Sequence, residues 1–138
     1  MKENIIAVKS MGFAVKIITY CEILYEKKQF VIANQLLRSG TSIGSNVYEA
    51  QHAESRLDFI HKLKIASKEA SETFYWLSLC EKFDYFEIPA EIIGELNQVS
   101  AILGKIIVTS KKKTKWPPFT KLALANWQIS TLAHYLFT

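Results

Sequence analysis

The sequence predicts an all-α protein: an antiparallel up-down four-helix bundle with an additional C-terminal amphipathic segment. Two observations predict it. Apolar residues recur at steps of three and four along most of the chain, and strand-like alternation is not sustained anywhere. Glycine and proline are scarce, at 5 and 3 of 138 residues, and no proline precedes Pro89. We therefore expect a bundle domain over residues 1–113 and an extension over residues 114–138, which the spacing predicts as a fifth helix.

The first two helices are predicted over residues 4–28 and 30–53. The polar residues Lys27, Lys28 and Gln29 lie between them, and so short a connection makes the two helices antiparallel neighbours. Gly40 and Gly44 fall inside the second helix, where each glycine costs about 1 kcal/mol relative to alanine. Close approach of a neighbouring helix is the expected reason for them.

The third helix has a clear start signal and the fourth a clear stop signal. Ser55 is a predicted cap with Asp58 three residues on, and the third helix is expected to end near residues 83–85. The fourth helix is expected to start at Pro89, which a first turn tolerates. It continues to a lysine run at residues 111–113, where cations complement the helix dipole.

The formal net charge of +4 is unevenly distributed. Residues 1–110 carry twelve Lys and Arg against thirteen Asp and Glu, whereas residues 111–138 carry five lysines and no carboxylate. The chain is therefore a nearly neutral bundle with a basic appendix, so nucleic-acid binding would need a local basic stripe or the appendix itself.

Several classes of protein are disfavoured. Lysines interrupt the apolar runs of the N-terminus, and no run of 18 residues is uniformly apolar, so neither a secretion signal nor a transmembrane segment is predicted. Cys21 and Cys80 lie on apolar stripes with no Cys-x-x-Cys pair, which predicts buried reduced thiols and a cytoplasmic protein.

No catalytic residue, metal site or cofactor is predicted. Glu49 and His52, and likewise Asp58 and His61, have the Glu/Asp-x-x-His spacing of di-metal bundles. However, His61 is two positions from the core residue Phe59, about 200° around a helix, and so points away from the core. We therefore expect a protein that is not an enzyme.

Two blocks of sequence resemble a known bacterial family. The run LRSGTSIGSN at residues 37–46, followed by Glu49 and Ala50, and the run DFIHKL at residues 58–63 with the helix that follows it, are similar to those of the 23S rRNA intervening-sequence proteins, also called S23 ribosomal proteins. The end of the fourth helix agrees as well. The resemblance covers about residues 5 to 113.

The resemblance implies a four-helix bundle that assembles as a homopentamer. It also implies a relationship to the accessory protein of diversity-generating retroelements, a basic pentamer that binds nucleic acid and a reverse transcriptase. This chain departs from the family in two ways: it continues about 25 residues further, and its bundle is slightly acidic.

Two sets of site residues follow from the sequence. The expected nucleic-acid contacts, with RNA or DNA as partner, are cations of the third helix and of the tail, namely Arg56, His61, Lys64, Lys68, Lys111, Lys112, Lys113 and Lys115. Tyr75 continues the helical ridge and is suited to stacking on a base. The expected helix-packing or subunit-interface residues are Arg38, Gly40, Thr41, Ser42, Gly44 and Asn46.

The functional prediction is a non-enzymatic homo-oligomeric scaffold that binds RNA through a repeated basic surface. The alternative is an adaptor that binds a protein partner, such as a reverse transcriptase, without touching nucleic acid. The extension leaves three alternatives open: packing on the bundle or a neighbouring subunit, poor order, or contact with a membrane surface or partner.

Overall fold

The structure is a computed structural model that describes residues 4–112. It contains four α-helices: α1 (Ile5–Glu26), α2 (Phe30–Ala50), α3 (Arg56–Cys80) and α4 (Ala90–Lys112). No strand occurs in this part of the chain. The predicted all-α four-helix bundle is confirmed, whereas the extension over residues 114–138 lies outside the described residues.

The helices pack in a closed up-down circuit, because α1 and α3 each contact both α2 and α4. Asn4 Nδ2 donates to Gln51 Oε1 at 2.7 Å, and Lys62 Nζ donates to Glu49 Oε2 at 2.7 Å. These bonds join the start of α1 and the start of α3 to the end of α2. The antiparallel α4 also ends there, at Lys112. We call this end of the bundle the tail end.

The core is built from the apolar stripes that the sequence spacing predicts. Phe13 and Ile17 of α1, Leu36 and Ile43 of α2, and Phe59 of α3 are fully buried. The α4 stripe follows the same rule and contributes Ile92, Leu96, Val99, Leu103 and Ile106. Each helix thus buries one face against its two neighbours, as amphipathic helices of a bundle do.

The start of α3 agrees with the sequence, but its end does not. Ser55 Oγ accepts the Asp58 amide and Asp58 Oδ2 accepts the Glu54 amide, both at 3.0 Å, which is a reciprocal cap. The expected end near residues 83–85 is wrong, because α3 stops at Cys80. The chain then turns tightly and buries Phe86 among the core residues, a placement that a continuing helix would not allow.

Smaller differences occur at the other helix ends. α1 ends at Glu26 because Lys28 adopts the left-handed backbone conformation, with φ of 61°. α2 ends at Ala50, three residues before its predicted limit, and Ala53 is buried beyond the helix end. Pro89 immediately precedes α4 instead of lying within it.

Among the described residues, α4 is the helix long and apolar enough to cross a membrane by length and composition alone. Its apolar stripe is buried against α1 and α3.

Both cysteines are buried free thiols, as predicted. Burial raises the pKa of the Cys21 thiol and the pKa of the Cys80 thiol to about 11 each. Cys21 Sγ donates to the Ala33 carbonyl at 3.4 Å. Because only the thiolate is an effective nucleophile, these groups are unreactive near neutral pH.

Candidate nucleic-acid interface

The outer face of α3 presents a row of exposed side chains. They recur every three or four positions, so they stand above one another on one side of the helix. We call the polar and aromatic members the α3 ridge; they are His61, Lys64, Lys68 and Tyr75, and all are exposed. The predicted orientation of His61 away from the core is confirmed.

An arginine on α2 binds the two carboxylates that follow Lys68 on α3. Arg38 Nη1 donates to Glu69 Oε2 at 3.3 Å, and Arg38 Nη2 donates to Glu72 Oε1. Trp76 Nε1 also donates to Glu72 Oε1, at 3.3 Å. These donors lower the pKa of the Glu72 carboxyl, the Arg38 hydrogen bond contributing most.

This arrangement replaces the Lys68–Glu72 pair that their four-residue spacing would allow. Glu69 and Glu72, one and four residues after Lys68, both pair with Arg38 instead. Within residues 4–112, neither Lys64 nor Lys68 has an ion pair or a side-chain hydrogen bond. Their ammonium groups are therefore available to an anion from solution.

The remaining predicted contacts are distributed over two helices. Arg56 is the first residue of α3, and the exposed Lys111 and Lys112 close α4. Because α3 starts where α4 ends, all three residues lie at the tail end of the bundle, which is also the end of the α3 ridge that begins with His61. Lys113 and Lys115 lie outside the described residues.

The second predicted set, the packing or interface residues, has partners inside the chain. A Cβ on Gly40 would lie 2.8 Å from Ile17 Cγ2, and one on Gly44 would lie 3.4 Å from the Ser10 carbonyl oxygen. Both glycines therefore mark the close approach of α1 and α2.

The hydroxyl and amide members of that set bond to their own helix. Thr41 Oγ1 donates to the Leu37 carbonyl at 2.6 Å and Ser42 Oγ to the Arg38 carbonyl at 2.6 Å. Asn46 Nδ2 donates to the Ser42 carbonyl at 2.8 Å. Each of the six residues thus has a contact within its own chain, and their role in a subunit interface stays a prediction.

Sequence reasoning missed a buried polar bond in the same run. Thr73 Oγ1 lies 2.9 Å from Ser39 Oγ and 2.8 Å from the Glu69 carbonyl oxygen, and both side chains are fully buried. A sequence signal for this bond was present: Thr73 is a polar residue within the apolar stripe of α3, and a buried hydroxyl needs a hydrogen-bond partner. Ser39 precedes Gly40 on the buried side of α2.

The residues with Glu/Asp-x-x-His spacing make other contacts in the structure. Asp58 caps α3, and the His52 ring packs against Tyr48 with ring centroids 5.4 Å apart. Over residues 4–112, no group of three or more His, Cys, Asp or Glu side chains converges as a metal site would require.

Comparison with known proteins identifies the family. The family model described as 23S rRNA-intervening sequence protein matches residues 2–105. The chain belongs to the 23S rRNA-intervening sequence protein family. The family predicted from residues 37–46 and 58–77 is therefore confirmed.

A solved structure agrees with this assignment. It is the 1.70 Å crystal structure of a protein with unknown function from the S23 ribosomal protein family of Bacteroides thetaiotaomicron VPI-5482. That protein is 46% identical to this 23S rRNA-intervening sequence protein, with a TM-score of 0.70, and the match covers 78% of this chain and 99% of the other. No curated protein matches the chain.

The matched region of this 23S rRNA-intervening sequence protein contains the whole α3 ridge and the ion pairs of Arg38 with Glu69 and Glu72. The lysines at the end of α4 lie beyond the family match. The two descriptions name an intervening sequence of rRNA and a ribosomal protein family, and neither names a reaction.

One further feature was not predicted. A groove of about 560 Å³ lies between α1 and α2 on the outside of the bundle, with Met11, Ile18 and Tyr48 at its rim. Its sequence signal was a second apolar stripe on α1, beside the core stripe, which includes Ala14 and Ile18.

Proposed function

We propose that this protein is a non-enzymatic, homo-oligomeric cytoplasmic scaffold that binds RNA through the α3 ridge. One observation carries the proposal: Lys64 and Lys68 are exposed, adjacent on one helix face and unpaired within residues 4–112, and Arg38 holds the two carboxylates that follow Lys68 on α3. Unpaired ammonium groups in a row are what a phosphate backbone requires.

The ridge also supplies a stacking group. Tyr75 is exposed at the far end of the ridge and packs edge-on against Trp76, with ring centroids 5.1 Å apart. This contact leaves much of the tyrosine ring open to solvent. A base stacked on an aromatic ring contributes about 1–3 kcal/mol and tolerates any sequence, so unpaired RNA is the expected ligand class.

Assembly is the second part of the proposal. Two lysines and a histidine on one subunit give weak binding, because each phosphate contact is screened by salt. The family resemblance implies a pentamer, which would present the ridge five times. When sites are linked, binding at the first makes binding at the others intramolecular. Where the spacing of the sites matches the ligand, this raises the overall affinity by about 10²–10⁴ without any additional type of contact.

The test is filter binding of a structured RNA with single-stranded loops, over a series of salt concentrations. We expect Lys64→Ala with Lys68→Ala to weaken binding and to reduce the salt slope by roughly 1.4–1.8 for each subunit that contacts RNA. The matched control is Lys27→Ala with Lys82→Ala. It removes the same charge from exposed lysines at the opposite end of the bundle.

The two variants together decide the proposal. Equal losses of RNA affinity in the two variants would mean that only net charge matters, which would contradict the proposal. Failure of the unaltered protein to bind RNA at low salt would contradict it as well. Native mass spectrometry with and without the same RNA tests assembly. A monomer under both conditions would contradict the scaffold part of the proposal.

A protein-binding adaptor is the second candidate function, and one surface favours it. Phe83 and Tyr85, in the turn between α3 and α4, are exposed aromatic residues with ring centroids 5.5 Å apart. Exposed aromatic pairs are enriched in protein interfaces. A pull-down that recovers the same partner after nuclease treatment, and loses it with Tyr85→Ala, would favour this function over RNA binding.

A further inference from the structure

The groove between α1 and α2 has the shape and chemistry of a helix-binding site. It is lined by small residues of both helices, Ala7, Ser10 and Ala14 on one side and Gly44 and Ser45 on the other. Larger apolar side chains line it as well. Small residues beside large apolar ones form the kind of channel into which leucine and isoleucine side chains insert.

The rim is exposed within the described part of the chain. Met11 is 64% exposed, Ile18 is 42% exposed and Tyr48 is 65% exposed. The groove has one carboxylate among its lining residues, Glu49, and Lys62 binds it at 2.7 Å. An apolar channel without a free charge suits an apolar helix face and offers little to a polyanion such as RNA.

The chain itself provides a segment of the right chemistry. In residues 120–138, Leu122, Ala125, Ile129, Leu132 and Leu136 recur at steps of three and four. This spacing places them on one face of a helix. Thr120 lies two residues after Pro118 and has the residue type of a helix cap.

The position of the chain end makes the docking feasible. α4 ends at Lys112 at the tail end, where α1 begins and α2 finishes, so the groove opens beside the point from which the extension leaves. Seven residues, 113–119, separate Lys112 from Thr120. They reach about 23 Å when extended, which exceeds the roughly 10–12 Å diameter of the α1 helix that they must cross.

The lengths also agree. From Ala7 to Ile18 the groove spans twelve residues of α1, and the eleven steps between them measure about 17 Å. A helix of the 19 residues from 120 to 138 would be about 28 Å long, enough to cover the groove from end to end. It would run parallel to α1, away from the tail end.

We propose that residues 120–138 form a helix that occupies the α1–α2 groove of the same chain. The extension is then a fifth element of the bundle, and it covers apolar surface that the family-matched region, residues 2–105, leaves exposed. The competing occupant of the groove is a second copy of the chain, and the experiment must distinguish it from the extension of the same chain.

The test is paramagnetic relaxation enhancement on the full-length chain. Met11→Cys is labelled with a nitroxide; Cys21 and Cys80 are buried, so the label attaches to the introduced thiol. We expect strong broadening of the amide signals of residues 122–136. The matched control is Leu57→Cys, an exposed apolar site at the tail end but on α3, and we expect it to broaden those signals much less.

A mixed sample separates the two occupants. The nitroxide is placed on unlabelled chains, which are mixed with equal amounts of ¹⁵N-labelled chains without nitroxide. Broadening only within one chain supports the proposal. Broadening between chains shows that a neighbouring copy supplies the helix and overturns it, as does the absence of broadening from Met11 in any sample.

A second variant tests the apolar face of the extension. Leu132→Asp in the full-length chain leaves residues 4–112 unchanged and should remove most of the broadening from the Met11 site, while signals from α1 to α4 stay in place. Undiminished broadening would contradict docking through this face. The result does not depend on RNA binding, so failure here and failure of the proposed function are distinguishable.

Discussion

Gly40 on α2 lies directly against the side chain of Ile17 on α1. A Cβ at residue 40 would stand 2.8 Å from Ile17 Cγ2 and 2.9 Å from Ile17 Cγ1. Ile17 is fully buried and β-branched, so its atoms near the backbone cannot swing aside. The missing side chain at residue 40 therefore sets how closely α1 and α2 approach.

Gly40→Ala should destabilise the protein by up to about 2 kcal/mol. Overpacking costs roughly 1–3 kcal/mol, and the better helix propensity of alanine returns about 1 kcal/mol. Urea unfolding monitored by circular dichroism measures the change. Gly104→Ala is the control, because no atom outside its own helix lies within 4 Å of the added Cβ, and it should stabilise the fold by about 0.5–1 kcal/mol. Equal effects at the two sites would contradict the close-packing argument.

The buried Ser39–Thr73 bond predicts a non-additive pair of substitutions. Thr73→Val keeps the shape but leaves the Ser39 hydroxyl without the partner 2.9 Å away, which should cost about 1–3 kcal/mol. Adding Ser39→Ala removes the stranded group and should recover part of the loss. A double-mutant cycle from urea unfolding measures the coupling, and strict additivity would show that the bond contributes nothing to stability.

The two buried thiols predict that stability falls at alkaline pH. Their pKa is raised from 9.0 to about 11 in the folded chain, because burial disfavours the thiolate. Between pH 9 and 11 the unfolded chain loses thiol protons that the folded chain retains, so the free energy of unfolding decreases as pH rises. The decrease is up to about 3 kcal/mol per thiol.

The measurement is the urea midpoint at half-unit steps from pH 8 to pH 11. Cys21→Ala with Cys80→Ala should flatten the dependence, whatever the variant loses at neutral pH from its smaller side chains. Some slope will persist, because burial also raises the pKa of Tyr20. An unchanged slope in the double variant would assign the alkaline loss to other groups.

The sequence predicted the bundle well because its main signals are local. Periodicity alone identified buried residues such as Phe13, Leu96 and Phe59, and the capping residues located the start of α3. It failed at the end of α3, since apolar residues continue past Cys80 and only the tertiary position of Phe86 decides where the helix stops. Both ridge lysines were found, but whether Lys68 is paired depends on Arg38, which is 30 residues away and on another helix. Pairings between helices of this kind leave no local signal.

Arg38 should therefore control RNA binding from outside the α3 ridge. Arg38→Gln removes both of its ion pairs, so Glu72 keeps only the hydrogen bond from Trp76 and its charge can pair with Lys68 four residues before it. We expect RNA affinity at low salt to fall about two- to fivefold, the size of one exposed ion pair. Filter binding measures the change, with Lys27→Gln as the control for the loss of one positive charge.

A compensating variant distinguishes this indirect role from direct contact between Arg38 and RNA. Adding Glu69→Gln and Glu72→Gln to Arg38→Gln removes the released carboxylates, so Lys68 is unpaired again and affinity should return to at least its original value. If Arg38 instead binds phosphate itself, the triple variant stays weak. The free energy of unfolding, measured by thermal denaturation, should change by less than about 1 kcal/mol in both variants, because the Arg38 ion pairs are largely exposed. A larger loss of stability would mean that Arg38 acts mainly by joining α2 to α3.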